Sequence, residues 1–159
     1  MSSPSGDQER DRAETVIDAL EAYQRLSIEV IENHAADPES AVKGLVALHL
    51  DWTESNRETA RLVARHRNDV MAGPHRDRLV ASNREYFASM KTWIDTQAEN
   101  GILPAVSFSL MHAVIFAPTQ EIAKLGLADR LKKPLSAYSQ ALGEAAWAAL
   151  RALPERSRD

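Results

Sequence analysis

The sequence contains no cysteine. Disulfides, thiol nucleophiles and cysteine-ligated zinc are therefore excluded, and the composition fits a reducing compartment. Glycine is scarce, with 6 in 159 residues, and runs of β-branched residues are few. Ala, Leu, Glu and Arg dominate instead, and these favour helix. The N-terminal MSSPSGDQERDR holds no apolar core of the kind a secretory leader needs. A basic excess is also missing. The formal net charge is −4, whereas a domain that grips DNA carries a basic face.

The charge-free run from Gly101 to Gln120 raises the question of a membrane span. Pro104 and Pro118 confine its helical part to about a dozen residues, or about 20 Å at 1.5 Å per residue. A bilayer core needs about 30 Å. Ser107, Ser109 and His112 add polar cost, so the run is read as buried in protein, in a chain expected to be cytoplasmic.

What is present reads as an all-α chain of six helices, with five to seven compatible. Residues 1–8 are Ser/Pro/Gly-rich and expected to be disordered. A helical domain then covers 9–153, with a polar tail at 154–159. The first helix runs from about Glu9 to His34, with Ala13, Val16, Ile17, Leu20, Tyr23, Val30 and Ile31 at helical spacing. Asp37-Pro38 starts a second helix, Asp as N-cap and Pro at the first helical position, ending near Ser55. A short third helix spans Arg57 to about His66. After the break at Gly73-Pro74, a long fourth helix reaches Asn100, and Gly101 is its left-handed cap. The fifth runs from about Val106 to Leu125 with a bend at Pro118. Pro134 opens the last helix, which ends before Pro154.

Two of these helices are apolar nearly all round. Residues 108–117 place apolar groups on every side. The last helix has a large stripe (Leu135, Tyr138, Leu142, Leu150, Leu153) beside a small one (Ala137, Ala141, Ala145, Ala148, Ala152). Packing on one domain takes a single apolar stripe. The second surface points to another subunit, with Pro118, Ile122, Ala137, Ala141, Ala145 and Ala148 at a homodimer interface.

Chemistry of the catalytic kind finds little support. No His-x-x-x-His pair exists, no histidine follows a Glu by three residues, and no phosphate loop or nucleophile elbow is present. No enzyme activity, metal or cofactor is expected. Polar residues inside apolar stripes are more informative. His49 shares a face with Trp52; Asn83 and Gln97 lie with Tyr86, Met90 and Trp93; His112 sits beside Phe116. Such groups pair internally or serve a ligand. A mostly apolar pocket lined by His49, Trp52, Asn83, Tyr86, Met90, Trp93, His112 and Phe116 would suit a small hydrophobic or aromatic molecule. Arg57, Arg61 and Arg65 line one helical face close to Glu54, Glu58 and Asp69, and are read as a solvated, partly salt-bridged face.

Four segments resemble the C-terminal domain of the tetracycline-repressor-like (TetR) family of bacterial transcription regulators. They are ALEAYQRLSIEVIENHAADPESAVKGLVALHLDWTESN, RETARLVARHR, NREYFASMKTWIDTQAENGILP and IFAPTQEIAK. The similarity covers about residues 10–153 and lies in order and spacing, not in any one motif. It implies a ligand-sensing and dimerisation domain whose last two helices form a four-helix dimer interface. The family's helix-turn-helix unit is not seen in this sequence, so DNA is expected as a partner only through a unit outside it. The alternative is a stand-alone helical interaction protein, pairing with itself or with a full-length regulator.

Overall fold

The computed structural model describes residues 4–155. They form six α-helices, α1 (Pro4–Asn33), α2 (Pro38–Ser55), α3 (Arg57–Ala72), α4 (Arg76–Glu99), α5 (Phe108–Leu127) and α6 (Ser139–Ala152). A 3-10 turn over Leu135–Tyr138 precedes α6, and no strand occurs among the described residues. The fold is the expected all-α six-helix bundle.

α2 is its centre. It packs on α1, α5 and α6, and Ala41, Val42, Leu45, Val46 and Leu50 are fully buried. Its start is fixed locally: Asp37 Oδ1 accepts from the Ser40 backbone N–H at 3.1 Å and Oδ2 from the Ser40 hydroxyl at 2.6 Å. Around α2 the main core gathers Tyr86, Met90, Trp93, Ile94, Met111, Ile115, Phe116, Leu135, Trp147 and Leu150. A smaller core of Val16, Ile17, Leu20, Val70 and Leu79 ties α1 to α3 and α4.

Several boundaries differ from expectation, each for a physical reason. α1 begins at Pro4, not near Glu9; proline is well suited to a first helical position. Residues 4–8, expected to be disordered, are therefore helical, while 1–3 lie outside the described residues. α3 continues six residues past His66, to Ala72, because Val70 is buried against α1 in the smaller core. α5 runs on to Leu127 and passes through Pro118 without a break. The Thr119 hydroxyl donates to the Ile115 carbonyl at 3.2 Å beside the proline. The last helix starts at Ser139, so Ala137 sits on the 3-10 turn. Gly101 is left-handed as expected, with φ of 70°.

The arginine stripe of α3 is a structural clamp. Arg57 Nη2 donates to the Gly126 carbonyl at 2.7 Å and to Asp129 at 2.8 Å. Arg61 donates twice to the Leu127 carbonyl, at 3.1 and 2.9 Å. Two guanidinium groups thus cap the carbonyl end of α5, where the helix dipole favours positive charge. They also hold Asp129 in its left-handed conformation, φ 56°.

Close helix approach rests on two glycines. At Gly143, an added Cβ would come within 3.2 Å of Lys43 Cγ and 3.4 Å of its Cα, where α6 crosses α2. At Gly126 it would meet Leu135 Cδ2 at 2.5 Å and Cγ at 3.0 Å. Leu135 is itself 1% exposed and has little room to move. Gly126→Ala is expected to lower unfolding stability by about 1–3 kcal/mol, the usual cost of overpacking a filled core. Urea denaturation of the purified variant measures this, and an unchanged midpoint would show that Leu135 yields freely.

Candidate functional site

The expected site residues divide between two neighbouring clusters. The first is aromatic and joins α1, α2 and α5. The Tyr23 hydroxyl and His49 Nδ1 are 2.9 Å apart in a hydrogen bond. Tyr23 packs edge-on against both His49 and Trp52, with ring centroids 5.5 and 5.6 Å away. Phe116 touches His49 at 6.4 Å and His112 at 4.7 Å. From His112 the contacts continue to Phe108 at 5.6 Å and to the half-exposed Phe87 at 6.5 Å. A continuous row of rings therefore runs from the surface of α4 and α5 to the interior of α2. Helical spacing explains it: Phe108, His112 and Phe116 are four residues apart and line one face of α5.

Burial sets the chemistry of this cluster. It pushes the His49 pKa down to about 4, helped by the nearby His112. His112 is lowered for the same first reason, and then by the positive charge of Arg67. The Tyr23 phenol is raised by burial and by the neighbouring Tyr86. Near neutral pH both histidines are uncharged and the phenol keeps its proton. Neutral Nδ1 can then accept from the Tyr23 hydroxyl, which places the ring proton on Nε2.

The second cluster is polar and joins α1 to α4. Gln24 Nε2 donates to Asn83 Oδ1 at 2.8 Å, and Ser82 Oγ donates to Gln24 Oε1. Ser27, fully buried, donates to the Tyr23 carbonyl at 3.0 Å. Tyr86 is 5% exposed, and burial pushes its phenol up to about 12. Gln24, Ser27 and Ser82 were not among the expected site residues. The signal for two of them was available: Leu20, Gln24, Ser27 and Ile31 occupy one face of α1, so Gln24 and Ser27 interrupt an apolar stripe.

Met90 and Trp93 are core residues. The Trp93 indole Nε1 is buried with no hydrogen-bond partner among the described residues. Two cavities lie beside the aromatic cluster. One cavity of about 500 Å³ sits where the start of α1 meets the α3–α4 turn, bordered by Arg10, Arg12, His66 and His75 among others. Another of about 400 Å³ lies between α1 and α4. Of the expected pocket residues, Tyr86 alone borders either. His49, Trp52, His112 and Phe116 border neither of these two cavities.

The expected interface residues lie mostly at the surface. Ala137, Ala141, Ala145, Ala148 and Pro118 are exposed, and Ile122 is half-buried. α6 turns Gly143, Ala146, Trp147 and Leu150 inward instead. Trp147 had not been assigned to either stripe, yet it is one of the main-core side chains. Among the described residues no group of three His, Asp or Glu side chains is placed to hold a metal ion. No described helix is long and apolar enough to cross a membrane. No family model matches the chain, and neither does any curated protein.

The buried histidine makes stability pH-dependent in a defined window. A folded pKa near 4 against 6.5 for the free group means that the unfolded chain binds the proton more readily. Stability contributed by neutral His49 is intact above pH 6.5 and falls as the pH drops towards 4. The full effect is about 3 kcal/mol at 1.36 kcal/mol per pKa unit. Denaturant titrations at pH 7.5 and 4.5 should show His49→Gln losing distinctly less stability than the wild type on acidification. Parallel losses in the two proteins would contradict a neutral buried His49.

Proposed function

We propose that the chain is the ligand-sensing and dimerisation domain of a TetR-like transcription regulator. In this reading it pairs with a second copy through α5 and α6. It binds a small, largely hydrophobic or aromatic molecule between α1, α2, α4 and α5. The observation that carries the reading is the two-sided character of α5 and α6. Their inner faces fill the core through Met111, Ile115, Phe116, Trp147 and Leu150. Their outer faces leave Leu110, Ala113, Ala117 and Pro118 exposed on α5, and Ala141, Ala145 and Ala148 exposed on α6. α5 and α6 pack against each other.

An all-alanine helix face confers little by facing water, and it allows a partner backbone to come close. Charge is sparse on α6: its exposed ionisable residues are Glu144, paired with Lys43 Nζ at 2.8 Å, and Arg151. A four-helix contact built from two such pairs would bury a continuous apolar patch. The order and spacing of the four segments that resemble the TetR family support the same assignment. So does the placement of neutral polar groups among rings on the opposite side of α5, where a ligand would shift the balance between two helix arrangements.

In such a regulator, ligand binding and dimer geometry are linked, and contact with DNA belongs to a separate helix-turn-helix unit. The effector would act by binding one arrangement of α4 and α5 more tightly than another.

The dimer is tested by size-exclusion chromatography with light scattering. The wild type is expected at twice the 17.6 kDa chain mass. Ala141→Glu together with Ala145→Glu should give a monomer with unchanged helical content, because both side chains point away from the core. A wild type that stays monomeric at about 100 μM, a thousandfold above a typical specific dissociation constant of about 100 nM, would refute the assignment.

A further inference from the structure

The groove of about 400 Å³ between α1 and α4 has a floor that packing alone does not require. Gln24 and Tyr86 both border it, at 8% and 5% exposed. The half-buried Ser82 lies between them in the lining. A seam that had only to join two helices would place Leu or Ala at such positions, since buried amides and hydroxyls must be satisfied.

The Gln24 carboxamide is held but not saturated. Its Nε2 donates to Asn83 at 2.8 Å and its Oε1 accepts from Ser82. A primary amide has two N–H bonds and two acceptor lone pairs. One of each is spent within the protein, and one of each remains. Tyr86 adds a phenol whose hydroxyl lies near Ser27 and can both give and take a hydrogen bond. Asn83 and Ser82 hold the Gln24 amide in one orientation, which is the pre-organisation a recognition group needs.

Charge around the groove is balanced. Its lining carries two arginines, Arg25 and Arg78, and two glutamates, Glu21 and Glu85. Arg78 is already committed to Asp18 and Glu21, each at 2.7 Å. The floor is uncharged. A molecule with a net charge would give up water for a wall with no net countercharge. An uncharged planar molecule gives up far less, and Ile28, Ala81 and the Tyr86 ring offer it an apolar wall.

We propose that the α1–α4 groove is the recognition end of the ligand site, taking an uncharged planar molecule whose amide or hydroxyl group hydrogen-bonds to Gln24 and Tyr86. This rests on the small-molecule reading above and supplies its chemical class and two contact residues. It also places the polar end of the ligand outside the aromatic cluster, next to Tyr86, which neighbours Tyr23 of that cluster.

Isothermal titration of the full chain with 2-naphthamide, and with 2-naphthoate as its charged isostere, tests the proposal. The amide should bind saturably and the carboxylate about tenfold more weakly, or worse. Tyr86→Phe and Gln24→Met, which keep side-chain size, should each weaken the amide about tenfold, the usual effect of removing one buried hydrogen-bonding partner. In ¹⁵N-resolved spectra the Gln24 side-chain amide signals of the wild type should shift on adding the amide. Equal affinity for the two probes overturns the groove assignment, as does amide binding that both variants leave unchanged. If that binding is instead abolished by His49→Ala, the small-molecule reading survives with its ligand in the aromatic cluster. Binding of neither probe overturns the groove assignment without touching the dimer, which light scattering decides.

Discussion

Everything in this bundle is arranged around the burial of α2. Ala41, Val42, Leu45, Val46 and Leu50 are wholly withdrawn from water, and they project towards three different helices. Burying a Val or Leu side chain contributes about 1.5–3 kcal/mol each. A helix with this much to hide can be stable only if it is surrounded. α1, α5 and α6 are the walls that surround it, and their orientation follows from that demand. Gly143 lets α6 come against Lys43 of α2. Gly126 makes room for Leu135, which leads the chain from α5 back to α6. Arg57 and Arg61 then fasten the far end of α5 to α3 by its last carbonyls. The basic stripe on α3 is thereby accounted for by internal bonds, and only Arg65 of the three is left at the surface.

Having covered α2 with their inner faces, α5 and α6 have outer faces to spare. Alanines and Pro118 form much of these faces, with Glu121, Lys124, Glu144 and Arg151 among their exposed residues. The inner face of α5 meets α2 and α4 through a row of rings that includes two uncharged histidines. A single helix therefore touches both the proposed partner surface and the proposed sensing region. In the proposed reading, movement of α5 would be felt at both and would link ligand and dimer geometry. The polar seam between α1 and α4 stands on the other side of the rings. Its groups are satisfied in pairs, so it costs little stability and leaves hydrogen-bonding capacity facing a groove.

Much of this organisation was legible beforehand, and the unevenness is instructive. The six helices, the Asp37 cap and the left-handed Gly101 depend on local chemistry, and each was readable from a few adjacent residues. The extension of α3 to Ala72 was not, because it depends on Val70 meeting Val16 and Ile17 far away in sequence. The end of α5 was misplaced for the same kind of reason: its capping groups belong to α3. His49, His112 and Phe116 were legible as one cluster through their helical faces. Asn83 was marked as a polar residue among apolar ones, but its partner Gln24 lies 59 residues away. No spacing rule connects them. Trp147 lies outside both the large and the alanine stripe of the last helix, and its burial depends on α6 packing against the rest of the main core.

The sequence by itself determined the class of fold, the capped start of α2 and the left-handed end of α4. Those properties follow from propensity, capping and periodicity, which act over a few residues. Only the tertiary structure decided which apolar face is covered, which polar groups pair, and where open volume remains. Each of these depends on what two distant helices present to each other. The expected pocket shows the difference most clearly. Its residues divide between an aromatic and a polar cluster, and of them Tyr86 alone borders either of the two cavities described. The cavity beside Tyr86 is bordered by Gln24, a polar residue that interrupts the apolar stripe of α1 and whose partners lie on α4.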